Sequence, residues 1–183
     1  MTSLAKLLAV TGAFALAVTA APAGATIETP EAKAQAAEAA DIARGDVMDH
    51  LGDAMLRPGQ YRWVSDARPG EPVRVVVSLS DQMAYVYGGD RLLGYSTISS
   101  GKAGKDTPTG IFPILEKKTM HRSRKYDNAP MPFMQRLDNY GIAMHAGANP
   151  GYPASHGCIR LPAKFAAKLY GVTRVGSTVM IGA

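Results

Sequence analysis

Cysteine is almost missing from this sequence: Cys158 is the only one among 183 residues. A single cysteine forms no internal disulfide, and it leaves any structural zinc site without a cysteine pair. No apolar stretch is long enough for comfortable membrane spanning. Residues 7–18 form the clearest one, well short of the roughly 20 apolar residues a spanning helix needs. No internal repeat is visible. No nucleic-acid-binding motif is recognisable either, so no nucleic-acid partner is expected.

What is present describes one domain of ordinary size with additions. Apolar residues make up 46% of the chain, enough for a core, and nineteen Gly with twelve Pro imply many turns and favour β structure. At the N-terminus Lys6, the apolar run and the small residues Ala23-Gly24-Ala25 predict a signal peptide over 1–25. Ala21-Pro22-Ala23 is the alternative cleavage site. The mature chain would then begin near Thr26, outside the cytoplasm, with no stable membrane span. Charge divides along the chain. Residues 26–66 hold four Lys+Arg against eight Asp+Glu, and residues 67–183 hold fifteen against seven. An acidic extension over 26–66 therefore precedes a basic domain over 73–182, which suits anionic substrates as well as plain solubility.

Thr29-Pro30-Glu31 is a helix start, with Thr as N-cap and Pro at the first helical position. The Ala-rich run to Ala43, stopped by Gly45, offers only Ile42 as a large apolar residue. It reads as a surface or tethering helix rather than core. Residues 47–56 could add a second short helical piece. Tyr61 and Trp63, two apart, would pack their segment against the main domain. From Val73 the period becomes two, with short strands and turns every eight to twelve residues, the pattern of a sandwich or barrel. Residues 116–136 are polar, basic and rich in Met and Pro without a clear period. They read as a long loop, a flap over a site. A strand over 140–145 delivers His145 to its end. A helix follows from Pro162, with Phe165 and Leu169 on one face and Gly171 as its stop.

Between them lie the residues that can carry chemistry. Cys158 is either an inert buried thiol or a nucleophile; an unpaired thiol in an exported protein favours a job. Gly157 beside it allows a sharp turn, and the Gly157 and Cys158 amides would form an oxyanion hole. Two histidines are candidate bases: His145 from the strand end, and His156, facing the same side as Cys158 if the segment is extended. His50 and His121 lie in polar stretches and read as surface histidines. A zinc site from His145, His156, Cys158 and His121 is disfavoured, since no second cysteine or nearby carboxylate completes a tetrahedron.

The string Ser155-His156-Gly157-Cys158-Ile159-Arg160-Leu161, preceded by a strand-end histidine, resembles the signature of the YkuD-type L,D-transpeptidases. Gly101-Lys102-Ala103-Gly104 followed by Thr107-Pro108-Thr109-Gly110-Ile111-Phe112 resembles a second hallmark of that family. Val75-Val76-Val77-Ser78-Leu79-Ser80-Asp81-Gln82 with Tyr85-Val86-Tyr87 resembles its first hairpin. The likeness covers residues 73–182 in order. It implies a mainly β, β-sandwich-like catalytic domain with a helix after the nucleophile, behind the partly helical extension. It implies a periplasmic or cell-envelope enzyme of peptidoglycan, without metal or cofactor. Cys158 would attack the carbonyl after the third stem residue and release D-alanine. The thioester would pass to an amine: another stem peptide, giving a 3-3 cross-link, or a lysine of an outer-membrane protein or lipoprotein. His145 would be proton acceptor and donor, its ring oriented by a backbone carbonyl near Ala146. Ser155, His156 and Gly157 would shape the site. Arg160 would pair with a substrate carboxylate or, alternatively, form a salt bridge that fixes the loop. Two departures, the nine-residue gap from His145 to Ser155 and Arg160 in place of the Asn of many members, bear on acceptor choice and loop contacts. An L,D-carboxypeptidase, or an enzyme detaching wall-linked protein, would use the same residues with water as acceptor. A non-catalytic wall-binding protein would fit a chain lacking Cys158 or His145, and both are here.

Overall fold

The computed structural model describes residues 27–51 and 56–183, without the side chains of His50 and Leu51. The predicted signal peptide and both cleavage sites lie outside the described residues, as does the His50 side chain. Helix α1 (Pro30–Leu51) comes first, then β1 (Tyr61–Trp63), β2 (Val73–Ser78), β3 (Met83–Gly88), β4 (Arg91–Thr97) and β5 (Gly110–Pro113). β6 (Glu116–Arg122), β7 (Pro130–Arg136), β8 (Ala143–Ala146), β9 (Ile159–Leu161), α2 (Ala163–Val172) and β10 (Thr178–Gly182) complete the domain. The strands form a six-stranded sheet, β1-β4-β3-β2-β10-β5, and a four-stranded sheet, β6-β7-β8-β9.

The core lies between the two sheets, with α2 packed on β7 and β8. Alternation along β2 and β3 explains why both are buried on two sides. Val75 opposite Val86 and Val77 opposite Ala84 face the inter-sheet core. Val76 opposite Tyr85 faces the other way, into a second apolar cluster. Tyr61 and Trp63 do pack inward: each ring centroid lies 5.7 Å from that of Phe165 on α2.

Two expectations are corrected. α1 does not stop at Gly45, and it is not a mere surface element. Thr29 Oγ1 caps it by accepting the Ala32 N–H (3.3 Å). Ala32, Ala36, Ala40, Ala43 and Val47 then form a buried stripe, while Ile42 is exposed. These small side chains let the helix approach the sheet closely: a Cβ on Gly182 of β10 would stand 2.7 Å from the Ala36 carbonyl. Tyr87 of β3 donates its hydroxyl to Asp46 (2.7 Å) beneath the helix. Ala36→Glu is therefore expected to lower Tm by about 5–15 °C, because it forces a carboxylate into a contact with no room for water. Ile42→Glu should leave Tm almost unchanged; thermal unfolding followed by circular dichroism checks both.

The second correction concerns residues 116–136. They form the antiparallel β6–β7 hairpin, with Glu116 opposite Arg136 and Arg122 opposite Pro130. β6 is mostly exposed and rich in Lys and Arg, as edge strands tend to be. That composition hides the period-two signal.

Candidate active site

Alternation in the second sheet decides which side chains meet. β8 and β9 are parallel, with Met144 opposite Ile159 and His145 opposite Arg160. Met144, Ala146, Ile159 and Leu161 point into the core. Ala143, His145 and Arg160 must then point to the opposite face. Extending the register back one residue sets Cys158 beside Ala143 on that same face. Cys158 packs there against a small cluster of Met131, Met134 and Ala143.

The loop before β9 is held from the first sheet. Ser99 and Arg160 exchange both backbone hydrogen bonds at 3.0 Å, and the Ala154 and Ser155 N–H groups donate to the Ser100 carbonyl. Thr107, which sequence reasoning did not single out, is buried at the joint. Its hydroxyl accepts from Gly101 N–H (2.9 Å) and donates to the Gly157 carbonyl (2.8 Å). That is the physical use of the Gly101–Thr107 hallmark: it fixes the backbone beside the cysteine.

Ser155 is buried, and its hydroxyl donates to the Cys158 carbonyl (2.5 Å) while accepting the Gly157 N–H (3.1 Å). Of the two amides expected to form an oxyanion hole, the Gly157 N–H is engaged by Ser155 Oγ. Gly157 has φ +113°, a conformation that disfavours any side chain, and a Cβ there would meet Ile142 Cδ1 at 2.7 Å. The turn at Gly157 also ends the extended geometry that would have aimed His156 with Cys158. His156 is instead exposed, its ring stacked on Tyr126 at 4.4 Å and 18°. Tyr126 sits between β6 and β7, so the hairpin tip reaches the cysteine-bearing loop.

His145 is 7% exposed, and its Nδ1 lies 2.8 Å from the Ala146 carbonyl. A carbonyl oxygen only accepts, so Nδ1 carries the proton and Nε2 is left with its lone pair. Burial is the main cause holding His145 below its ordinary value; the Ala146 carbonyl opposes that shift, and the charges of Arg160 and His121 reinforce it. His121, expected at the surface, is half-buried on β6 and within electrostatic reach of His145. Burial likewise pushes the Cys158 thiol up. The Ala143 backbone and Arg160 pull against that rise, and Asp138 adds to it. Both shifts favour the uncharged forms, a thiol and a neutral imidazole. Cys158 Sγ donates weakly to the Gly141 carbonyl at 3.6 Å.

Arg160 is half-buried, its stem lying across Gly147. Among the described residues its guanidinium makes no ion pair or hydrogen bond, so the alternative of a loop-fixing salt bridge finds no partner. No three His, Cys, Asp or Glu side chains gather as metal ligands among the described residues. No helix among them is long and apolar enough to cross a membrane.

Comparison with known proteins gives this arrangement a family. No curated protein matches the chain. Among solved structures it is similar to an L,D-transpeptidase from Mycobacterium smegmatis, at 24% identity over 62% of this chain and 60% of that chain, with TM-score 0.58. It is similar to the L,D-transpeptidase (Yku) from Stackebrandtia nassauensis, at 26% identity over 66% and 58%, with TM-score 0.56. A third is L,D-transpeptidase 3 from Mycobacterium tuberculosis in complex with a faropenem-derived adduct, at 21% identity over 62% and 61%, with TM-score 0.57. The chain spans about three fifths of the length of these proteins. The mainly β architecture, two sheets with a helix after the cysteine loop, is the fold they share. The family model described as YkuD, L,D-transpeptidase catalytic domain, matches residues 72–181, more than half of the sequence. The chain belongs to the YkuD family of L,D-transpeptidase catalytic domains.

Proposed function

We propose that this chain is an exported peptidoglycan L,D-transpeptidase that works through a Cys158 thioester. The observation that carries the reading is the shared face of β8 and β9. It sets together the sole cysteine, a histidine whose Nδ1 is engaged, and a guanidinium without a partner among the described residues. His145 Nε2 takes the thiol proton as Sγ attacks the carbonyl after the third stem residue. The tetrahedral oxyanion is met by the Cys158 amide. On collapse the C–N bond breaks, His145 returns the proton to the leaving amine, and D-alanine departs. An amine acceptor then attacks the thioester, gives its proton to His145 and expels the Cys158 sulfur, which takes that proton back as the thiol. The periplasm is where a chain cleaved near Ala25 would meet this substrate. Acceptors are a second stem peptide, giving a 3-3 cross-link, or a lysine of an outer-membrane protein.

Arg160 holds a carboxylate of the stem peptide. Arg160→Ala is expected to lower kcat/KM for donor by about 10–100-fold, from the loss of a charge-assisted contact. Arg160→Lys should recover part of it. The test of the reading is incubation of the mature protein with a disaccharide-tetrapeptide, following D-alanine release and product mass. Cross-linked dimer supports transfer. Shortened stems alone would assign an L,D-carboxypeptidase, and no D-alanine release would end the proposal. A penem or carbapenem should add its mass to the protein, by analogy with the faropenem-adduct relative.

A further inference from the structure

The turn between β7 and β8 carries a buried carboxylate that the reaction above leaves unused. Asp138 is 5% exposed, and its Oδ1 accepts three backbone N–H groups, from Tyr140 (2.9 Å), Gly141 (2.8 Å) and Ile142 (2.8 Å). Leu137 N–H closes the turn on the Ile142 carbonyl at 2.8 Å. Three donors converging on one oxygen fix the peptide planes around Gly141, which has φ +105°. The carbonyl of that residue is the group that Cys158 Sγ contacts at 3.6 Å.

We infer that Asp138 is a positioning residue for Cys158: it folds the 138–142 turn that presents the Gly141 carbonyl to the sulfur. A carbonyl accepts S–H but repels a thiolate, and the Asp138 charge repels it too. The neighbours divide. Asp138 and the Gly141 carbonyl favour the thiol. The Ala143 backbone and Arg160 favour the thiolate, Met131 and Met134 of β7 are apolar, and His145, within electrostatic reach of His121, is the proton acceptor. On the hairpin side Tyr126 is occupied by His156. At neutral pH the sulfur is thereby held as a thiol until a donor carbonyl draws it away from Gly141 and toward His145. Between turnovers it is shielded from oxidants, which attack the thiolate. The inference rests on the reading of Cys158 as nucleophile, but it is tested without turnover.

Cys158 is the only cysteine, so iodoacetamide alkylation followed by intact mass reports on it alone. In folded wild-type protein the alkylation midpoint should lie above that of a free thiol, near 8.5. Asp138→Asn retains an oxygen acceptor for the three N–H groups but removes the charge. It should lower the midpoint by about half a unit, so that alkylation at pH 7 is about threefold faster, with Tm close to wild type. Asp138→Ala should speed alkylation and peroxide inactivation at least as much. A wild-type midpoint at or below that of a free thiol would overturn the inference whether or not the variants fold. So would a folded Asp138→Asn protein with an unchanged midpoint. If the midpoints behave as stated but no D-alanine is released from the tetrapeptide, the functional proposal fails and the positioning role stands.

Discussion

Replacing Cys158 with alanine is expected to remove D-alanine release from a tetrapeptide by about 10⁴-fold or more, to the detection limit. The size follows from the chemistry. Without sulfur no thioester forms, and the Cys158 amide and Arg160 can only bind the donor. The fold should tolerate the change: the side chain touches Met131, Met134 and Ala143 at the outer face of the second sheet and carries no disulfide. Binding of the tetrapeptide, measured by calorimetry, should persist within a few-fold. Release that survives the substitution, in a protein with unchanged Tm, would mean that another group is the nucleophile.

The second large effect is that of His145→Ala, a loss of about 10²–10⁴-fold in kcat/KM for acylation, the range for a general base. Because the resting partner is a thiol rather than a thiolate, the base is indispensable at neutral pH. Raising the pH should restore part of the rate in this variant as the thiol ionises unaided. In wild type the profile should instead rise on the acid side, at a value below the ordinary 6.5 of histidine, since burial disfavours the imidazolium. The same shift affects stability. The folded state holds His145 below its unfolded value, so above about 6.5 both states are neutral and nothing is lost. As pH falls through 6.5 toward the folded value, the unfolded chain gains a proton that the folded one does not, and stability decreases. His145→Gln should flatten that acid-side loss in a urea titration across pH 5–7.

How much of this was legible beforehand differs from element to element. The 145 and 158 pair could be found because its residue types are rare and their spacing resembles a family signature. Strands β2 to β4 of the six-stranded sheet followed from the period-two alternation that begins at Val73. α1 was misjudged because its buried stripe is alanine, whose hydrophobicity is low although its small size allows contact with Gly182. The stripe at 32, 36, 40, 43 and 47 was present as spacing. The β6–β7 hairpin reads as a loop in sequence because β6, at the sheet edge, is mostly Lys, Arg and other polar residues, and β7 carries two prolines. His156 was placed beside Cys158 by assuming an extended backbone, and the positive φ of Gly157 breaks that geometry. Asp138 was overlooked, although Asp-Asn-Tyr-Gly is a turn-forming string whose side-chain oxygen can collect backbone N–H groups. Thr107, between a loop and a proline, had no signal beyond the hallmark that contains it.

The most direct test is to quench wild-type protein rapidly after mixing with disaccharide-tetrapeptide and to map the adduct by mass. The predicted result is a transient gain equal to the donor minus D-alanine, on the peptide containing Cys158, decaying faster when amine acceptor is added. D-alanine release with no adduct, or with an adduct on any other residue, would contradict it.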